Sequence, residues 1–224
     1  MMRLIKAVVF DFDGLIMDTE SREYEALQEI FKEHESDLPL SVWGKGIGTH
    51  SGFDPFTYLE EQIEQKLDRD ELRKNWMSRF EESIAKEKAL PGVEGYLAAA
   101  KELGLKIGLA SSSRYDWVSR HLKHIGLFEH FECIKTADDV EKVKPDPALY
   151  LEAAACLGVK PEECLAFEDS VNGSMAAKAA GMKCVIVPNS VTKELEFKDF
   201  DHRLESMAEM ELEALLEAVS QQKG

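Results

Sequence analysis

Two carboxylates one residue apart, Asp11 and Asp13, follow directly on the short apolar run Ala7–Phe10. In extended backbone, side chains at i and i+2 share a face about 6–7 Å apart. One such carboxylate can attack an electrophile such as phosphorus while the other handles the proton on the leaving oxygen. Gly14 follows, a residue whose backbone can turn sharply and present N–H groups to phosphoryl oxygens. Three more polar clusters occur downstream: Ser111-Ser112-Ser113, Lys144-Pro145-Asp146-Pro147 and Glu168-Asp169-Ser170. Ser111 offers a hydroxyl and a backbone N–H to a transferring phosphoryl group, and Ser112 stands beside it. Lys144 offers a compact positive charge against developing negative charge.

Gathered in one place, Asp11, Asp13, Glu168 and Asp169 are four carboxylates, and Lys144 cancels only one. Like charges that close raise carboxyl pKa values and repel a phosphate. A hard divalent cation resolves the conflict, and Mg²⁺ takes a few carboxylates together with waters and substrate oxygens.

Whether the clusters meet depends on the elements that carry them. Ala7–Phe10, Lys106–Ala110, Cys133–Thr136, Cys164–Phe167 and Cys184–Val187 are brief apolar runs that read as strands. Between them lie helical stretches at Gly92–Leu103, Asp116–Ile125, Pro147–Leu157 and Ser170–Ala180, the last three stopping at Gly126, Gly158 and Gly181. Strands alternating with helices predict a doubly wound α/β fold with a parallel sheet, whose ligands bind beyond the carboxyl ends of the strands. Each cluster has a plainer reading: a DxDG arises by chance, serine runs populate loops, and Glu168-Asp169-Ser170 could cap a helix. Their order, each cluster beyond a strand, favours chemistry.

From about Met17 to Lys88 the alternation stops, and three helical patterns (Glu20–Glu35, Asp54–Lys66, Asp70–Lys88) replace it. Tyr24, Leu27 and Phe31 form one apolar stripe suited to core packing. The expected organisation is a discontinuous α/β core of residues 1–16 and 88–224, with a separate helical domain over residues 17–87. The C-terminal Glu209–Gln221 is a further amphipathic helix, its Leu212, Leu215, Leu216 and Val219 facing the sheet.

The chain has 224 residues, 44% of them hydrophobic, enough to bury a core. Its formal net charge of −16 disfavours nucleic-acid partners. The N-terminal apolar run is too short for a membrane span or signal peptide. Cys133, Cys156, Cys164 and Cys184 are widely spaced among apolar neighbours and read as buried free thiols. A cytoplasmic protein is expected.

The run from Asp11 to Glu20 resembles the first motif of the haloacid dehalogenase-like hydrolases. Leu109-Ala110-Ser111-Ser112-Ser113 is similar to the second motif, Lys144-Pro145-Asp146-Pro147 to the third and Phe167-Glu168-Asp169-Ser170 to the fourth. The helical insertion resembles the four-helix cap of the β-phosphoglucomutase and phosphoglycolate phosphatase branch. The resemblance implies that Asp11 forms an aspartyl-phosphate, and that Asp13 protonates the leaving alcohol and then deprotonates water. It implies Mg²⁺ on Asp11, the Asp13 carbonyl and Asp169, with Glu168 as a further candidate ligand. It also implies phosphoryl contacts from Ser111 and Lys144, with Gly14 and Ser112 as further binding candidates. The glycine-rich stretch Trp43–Gly52 fits neither G-x-G-x-x-G nor a Walker pattern. The resemblance makes it a substrate-specificity loop, with Lys45, Thr49 and His50 as contacts to the leaving group.

The function expected is hydrolysis of a small phosphorylated metabolite, such as a sugar phosphate, by a monomer. β-Phosphoglucomutases carry a His soon after the first motif and an Arg in the specificity loop. Here Glu20-Ser21-Arg22-Glu23-Tyr24 and Thr49-His50 stand instead, which disfavours the phosphosugar mutase alternative. A non-catalytic binding protein on the same fold is the other alternative, and the retention of Asp11, Asp13, Ser111, Lys144 and Asp169 argues against it.

Overall fold

The computed structural model describes residues 5–44 and 53–221. At its centre β1 (Ala7–Phe10) has all four side chains shielded from solvent. Val8 and Phe10 join the apolar cluster on one face of the sheet, and Ala7 and Val9 join the cluster on the other. That is the period-2 alternation of a strand covered on both sides.

Around β1 the sheet adds β2 (Lys106–Ala110), β3 (Cys133–Lys135), β4 (Cys164–Glu168), β5 (Lys183–Ile186) and β6 (His202–Arg203) in the order β3-β2-β1-β4-β5-β6. Every neighbouring pair is parallel. The predicted doubly wound α/β sheet is present, and the order reverses between β1 and β4, where such folds open a crevice. β6 was not foreseen, because two residues are too few to show a period.

One face carries α5 (Val93–Glu102), α6 (Tyr115–His124) and α9 (Leu212–Gln221), whose Val93, Leu97, Val118, Leu122, Leu212 and Leu215 pack with the sheet. On the other face lie α7 (Ala148–Leu157) and α8 (Val171–Ala179), whose alanines allow close approach. Phe10 and Phe167 stack at 4.9 Å between centroids across β1 and β4. Each such fully buried ring contributes about 1.5–3 kcal/mol of transfer energy.

Between β1 and α5 stand α1 (Thr19–Glu33), the short α2 (Leu40–Trp43), α3 (Pro55–Ile63) and α4 (Arg69–Ile84). Side chains start three of them: Asp18 accepts from the Ser21 N–H, Asp54 from Phe56, and Asp68 from Asp70 and Glu71. Leu27 and Phe31 of the expected stripe are buried with Ile30, Leu38, Phe56, Leu59 and Leu72 in a cluster of their own, and Tyr24 packs against it. Phe80 of α4 stacks on Trp117 of α6 at 5.6 Å, tying this helical layer to the sheet.

The expectation that all cysteines are free thiols is corrected for one pair. Cys133 on β3 and Cys156 on α7 are joined as a disulfide, with Cα atoms 6.2 Å apart. The helix packs directly over the strand, a proximity that a separation of 23 residues does not announce. Cys164 and Cys184 are free and buried, as expected. Among the described residues no helix is long and apolar enough to cross a membrane.

Gly92 joins the helical layer to α5 with φ +90°, and a Cβ there would lie 2.2 Å from the Met207 carbonyl carbon. Both backbone strain and collision oppose a side chain. Gly92→Ala is expected to destabilise the fold by about 2 kcal/mol or more, read as a lower urea midpoint at unchanged m-value.

Candidate active site

Four strand exits converge beyond the carboxyl edge of the sheet. Asp11 follows β1, Ser111 follows β2, Glu168 ends β4 and Asp169 follows it. Lys144 arrives from the connection between β3 and α7. Its ammonium is only 2% exposed and donates to Asp11 Oδ1 at 2.5 Å and Glu168 Oε1 at 2.7 Å. Burial works against the charge on Lys144, but the two carboxylates outweigh it and hold the pKa above the ordinary lysine value.

Glu168 is completely buried and saturated with donors. Lys144 and the Tyr150 hydroxyl donate to Oε1, and the Ser170 N–H and hydroxyl to Oε2. Asp169 is equally buried but half satisfied: Asn189 Nδ2 donates to Oδ2 at 2.7 Å, while Oδ1 has no partner among the described residues. Acceptor atoms of Asp11, Glu168 and Asp169 all lie within 4.8 Å of one another. An orphaned buried carboxylate oxygen beside two further acid groups is a donor set that suits a hard cation. Ser170, by contrast, takes the plainer role of capping α8, accepting from the Gly173 N–H.

Asp13 stands apart from that trio. Thr19 Oγ1 and Trp117 Nε1 donate to its Oδ1, each at 2.9 Å, and Ser113 Oγ donates to Oδ2 at 2.6 Å. Ser111 Oγ reaches Oδ2 at 3.5 Å. Its carboxylate is therefore aimed from several sides.

Two expected N–H donors are otherwise engaged. The Gly14 N–H donates to the Met17 carbonyl at 2.8 Å and the Ser111 N–H to the Lys135 carbonyl at 2.9 Å, so Ser111 has only its hydroxyl to offer. Gly14 instead matters for space. With φ +79°, it passes so close that a Cβ would lie 2.5 Å from Asp169 Oδ2 and 2.8 Å from Glu20 Oε2.

These groups floor a cavity of about 510 Å³ that Asp11, Asp13, Ser111, Ser112, Ser113 and Lys144 line from the sheet side. Across it stand Glu23 from α1, Trp43 at the end of α2, Phe56 from α3, and Arg73 and Trp76 from α4. Lys45, Thr49 and His50 lie outside the described residues.

The sequence reading gave no role to Thr19, Glu20, Trp117, Tyr150 or Asn189. Thr19 and Glu20 belong to the run that begins at Asp11, and Asn189 follows β5, a fifth strand exit. Asn189 Nδ2 bridges Asp169, Glu20 and the Gly14 carbonyl, while its Oδ1 accepts from Val191 and Thr192. Trp117 lies four residues beyond Ser113 and Tyr150 six beyond Lys144, offsets that mark nothing until the helices are placed.

The sequence matches the haloacid dehalogenase-like hydrolase family over residues 8–187. The chain belongs to that family. A Bacillus subtilis (strain 168) protein named "Putative phosphatase YhcW" is 69% identical over 219 residues, covering 98% of this chain and 100% of that one. Hexitol phosphatase B of Escherichia coli (strain K12) is 32% identical, covering 96% and 98%. Among solved structures, a Thermotoga maritima "putative beta-phosphoglucomutase" is similar with a TM-score of 0.76 and 27% identity, covering 95% of this chain and 99% of that one. The chain is an enzyme of this hydrolase family, and both sequence relatives are phosphatases by name.

Without a cation, Asp11, Glu20 and Asp169 hold their protons to higher pH than free carboxyl groups. Burial above all pushes Asp11 from 3.8 to about 7, with Lys144 opposing, and pushes Glu20 from 4.5 to about 8. Burial likewise raises Asp169, reinforced by Glu20, Asp11 and Glu168. The folded state then binds more protons than the unfolded chain, so stability falls as pH rises. In EDTA, the melting temperature is expected to fall between pH 5 and 8 by more than in an Asp169→Asn, Glu20→Gln variant, as calorimetry would show.

Proposed function

We propose that this protein is a Mg²⁺-dependent phosphatase acting on a small phosphate monoester, a sugar phosphate or similar metabolite, through an aspartyl-phosphate on Asp11. The observation that carries the reading is the Asp11 carboxylate. It lies at the floor of a cavity, gripped by Lys144, beside Asp169 Oδ1, which has no partner among the described residues. Mg²⁺ held by Asp11, the Asp13 carbonyl and Asp169 would supply the positive charge that the carboxylates and a phosphoryl group together require. Glu168, already saturated, serves better as the anchor of Lys144 than as a ligand.

Asp11 attacks phosphorus, and the ester P–O bond breaks on the opposite side. Lys144 offsets the charge of Asp11 and of the phosphoryl oxygens, and the Ser111 hydroxyl donates to the latter. Asp13 gives its proton to the departing alcohol oxygen, then removes one from the water that cleaves the aspartyl-phosphate. That proton fits Oδ2 rather than Oδ1. Oδ2 faces only serine hydroxyls, which can turn to accept, whereas Oδ1 faces, besides the Thr19 hydroxyl, the Trp117 N–H, which can only donate.

Residues 17–87 act in this reading as a cap domain over a core of 1–16 and 88–224. Lys45, Thr49 and His50 belong to its specificity loop. The likeness to the Thermotoga maritima protein supports a mutase as the second reading. Against it stand Glu20-Ser21-Arg22-Glu23-Tyr24, where mutases carry a His, and Thr49-His50, where they carry an Arg.

Phosphate release from an ester panel is expected to need Mg²⁺ and to vanish in Asp11→Asn, while Asp13→Asn lowers kcat by about 10²- to 10⁴-fold. Conversion of β-glucose 1-phosphate to glucose 6-phosphate without phosphate release would establish the mutase instead.

A further inference from the structure

Glu23 projects from α1 into the cavity wall. Its side chain is half-buried, and no described residue donates a hydrogen bond or an ion pair to it. The other acids of this region are engaged: Asp54 accepts from Phe56, Thr57 and Arg69, and Glu20 from Asn189. Burial, with a smaller contribution from the charge of Asp13, pushes the Glu23 carboxyl up to about 7. It lines the same cavity as Asp13, the group assigned to the leaving oxygen. The wall around it is aromatic, with Trp43, Phe56 and Trp76. Arg73 also reaches the cavity, but it is exposed and its charge is screened by solvent.

A partly dehydrated acceptor without a donor is costly until a ligand supplies one. Aromatic walls accept the C–H faces of a carbon chain, and the Glu23 carboxylate would repel a carboxylate on the ligand. We propose that Glu23 is a specificity-determining residue that accepts a hydrogen bond from a hydroxyl of the leaving alcohol, selecting phosphate esters of polyhydroxylated alcohols over esters whose leaving group carries a carboxylate. This rests on the phosphatase reading, and on Asp13 marking the leaving-group side.

The test compares kcat/KM with Mg²⁺ for glucitol 6-phosphate, p-nitrophenyl phosphate and 2-phosphoglycolate in wild type, Glu23→Ala and Glu23→Gln. Wild type is expected to prefer glucitol 6-phosphate over 2-phosphoglycolate. Glu23→Ala should lower the ratio of glucitol 6-phosphate to p-nitrophenyl phosphate by about 10- to 100-fold, chiefly through KM. Glu23→Gln keeps an acceptor oxygen without the charge, so it should restore most of that ratio and improve 2-phosphoglycolate. An unchanged ratio in Glu23→Ala, or a wild-type preference for 2-phosphoglycolate, would overturn the assignment. Wild type releasing phosphate from none of the three esters would instead sink the phosphatase reading, and this assignment with it.

Discussion

Lys144 is an ammonium buried among acids, and the arrangement of the site follows from keeping it charged there. Two carboxylates hold it, Asp11 and Glu168, and each contact narrows the role of its partner. Glu168 gives its remaining acceptor capacity to Tyr150 and Ser170, so it is an anchor. Asp11 is left with one oxygen bound to Lys144 and a cavity in front of it. Asp169 is left with an oxygen that no described residue satisfies. Removing Lys144 would strand several buried carboxylates, a loss of about 3–5 kcal/mol for one broken pair alone. The same excess of negative charge is a donor set that suits a hard cation.

The division of labour across the cavity is equally physical. The sheet side is built from strand exits and fixed by backbone pairing, which suits groups that act on the same phosphoryl unit whatever alcohol it carries. The helical side presents aromatic rings and Glu23 from elements with their own apolar cluster, which suits recognition of the variable part. Asp13 stands between the two. Its donors Ser113 and Trp117 come from the sheet side, and Thr19 comes from the first residue of α1. Any shift of α1 or of the Phe80–Trp117 stack therefore reaches the Asp13 carboxylate.

The strands and the residues beyond them were legible because a buried strand is a short apolar run, and chemistry sits where that run meets polar residues. Asp11, Ser111 and Asp169 stand out on that basis alone, and the structure gathers them beyond one edge of the sheet. The second layer around them was not legible, because its members owe their positions to packing. Trp117 reaches Asp13 only once α6 lies against α4, and Tyr150 reaches Glu168 only once α7 covers the sheet. Asn189 is different: it follows β5 and could have been read by extending the same rule to the fifth strand. The Cys133–Cys156 bond and the two-residue β6 are tertiary facts without a local pattern. The N–H donors assigned to Gly14 and Ser111 were reasonable from residue type, but turn and sheet geometry had already taken them.

The central claim is that Asp11 becomes covalently phosphorylated, and acid quench of the enzyme during turnover tests it most directly. Borohydride converts an aspartyl-phosphate to homoserine, which peptide mass spectrometry locates. Homoserine at position 11, dependent on both ester and Mg²⁺, is the predicted result. Label at another residue, or at a peptide without Asp11, would contradict the account.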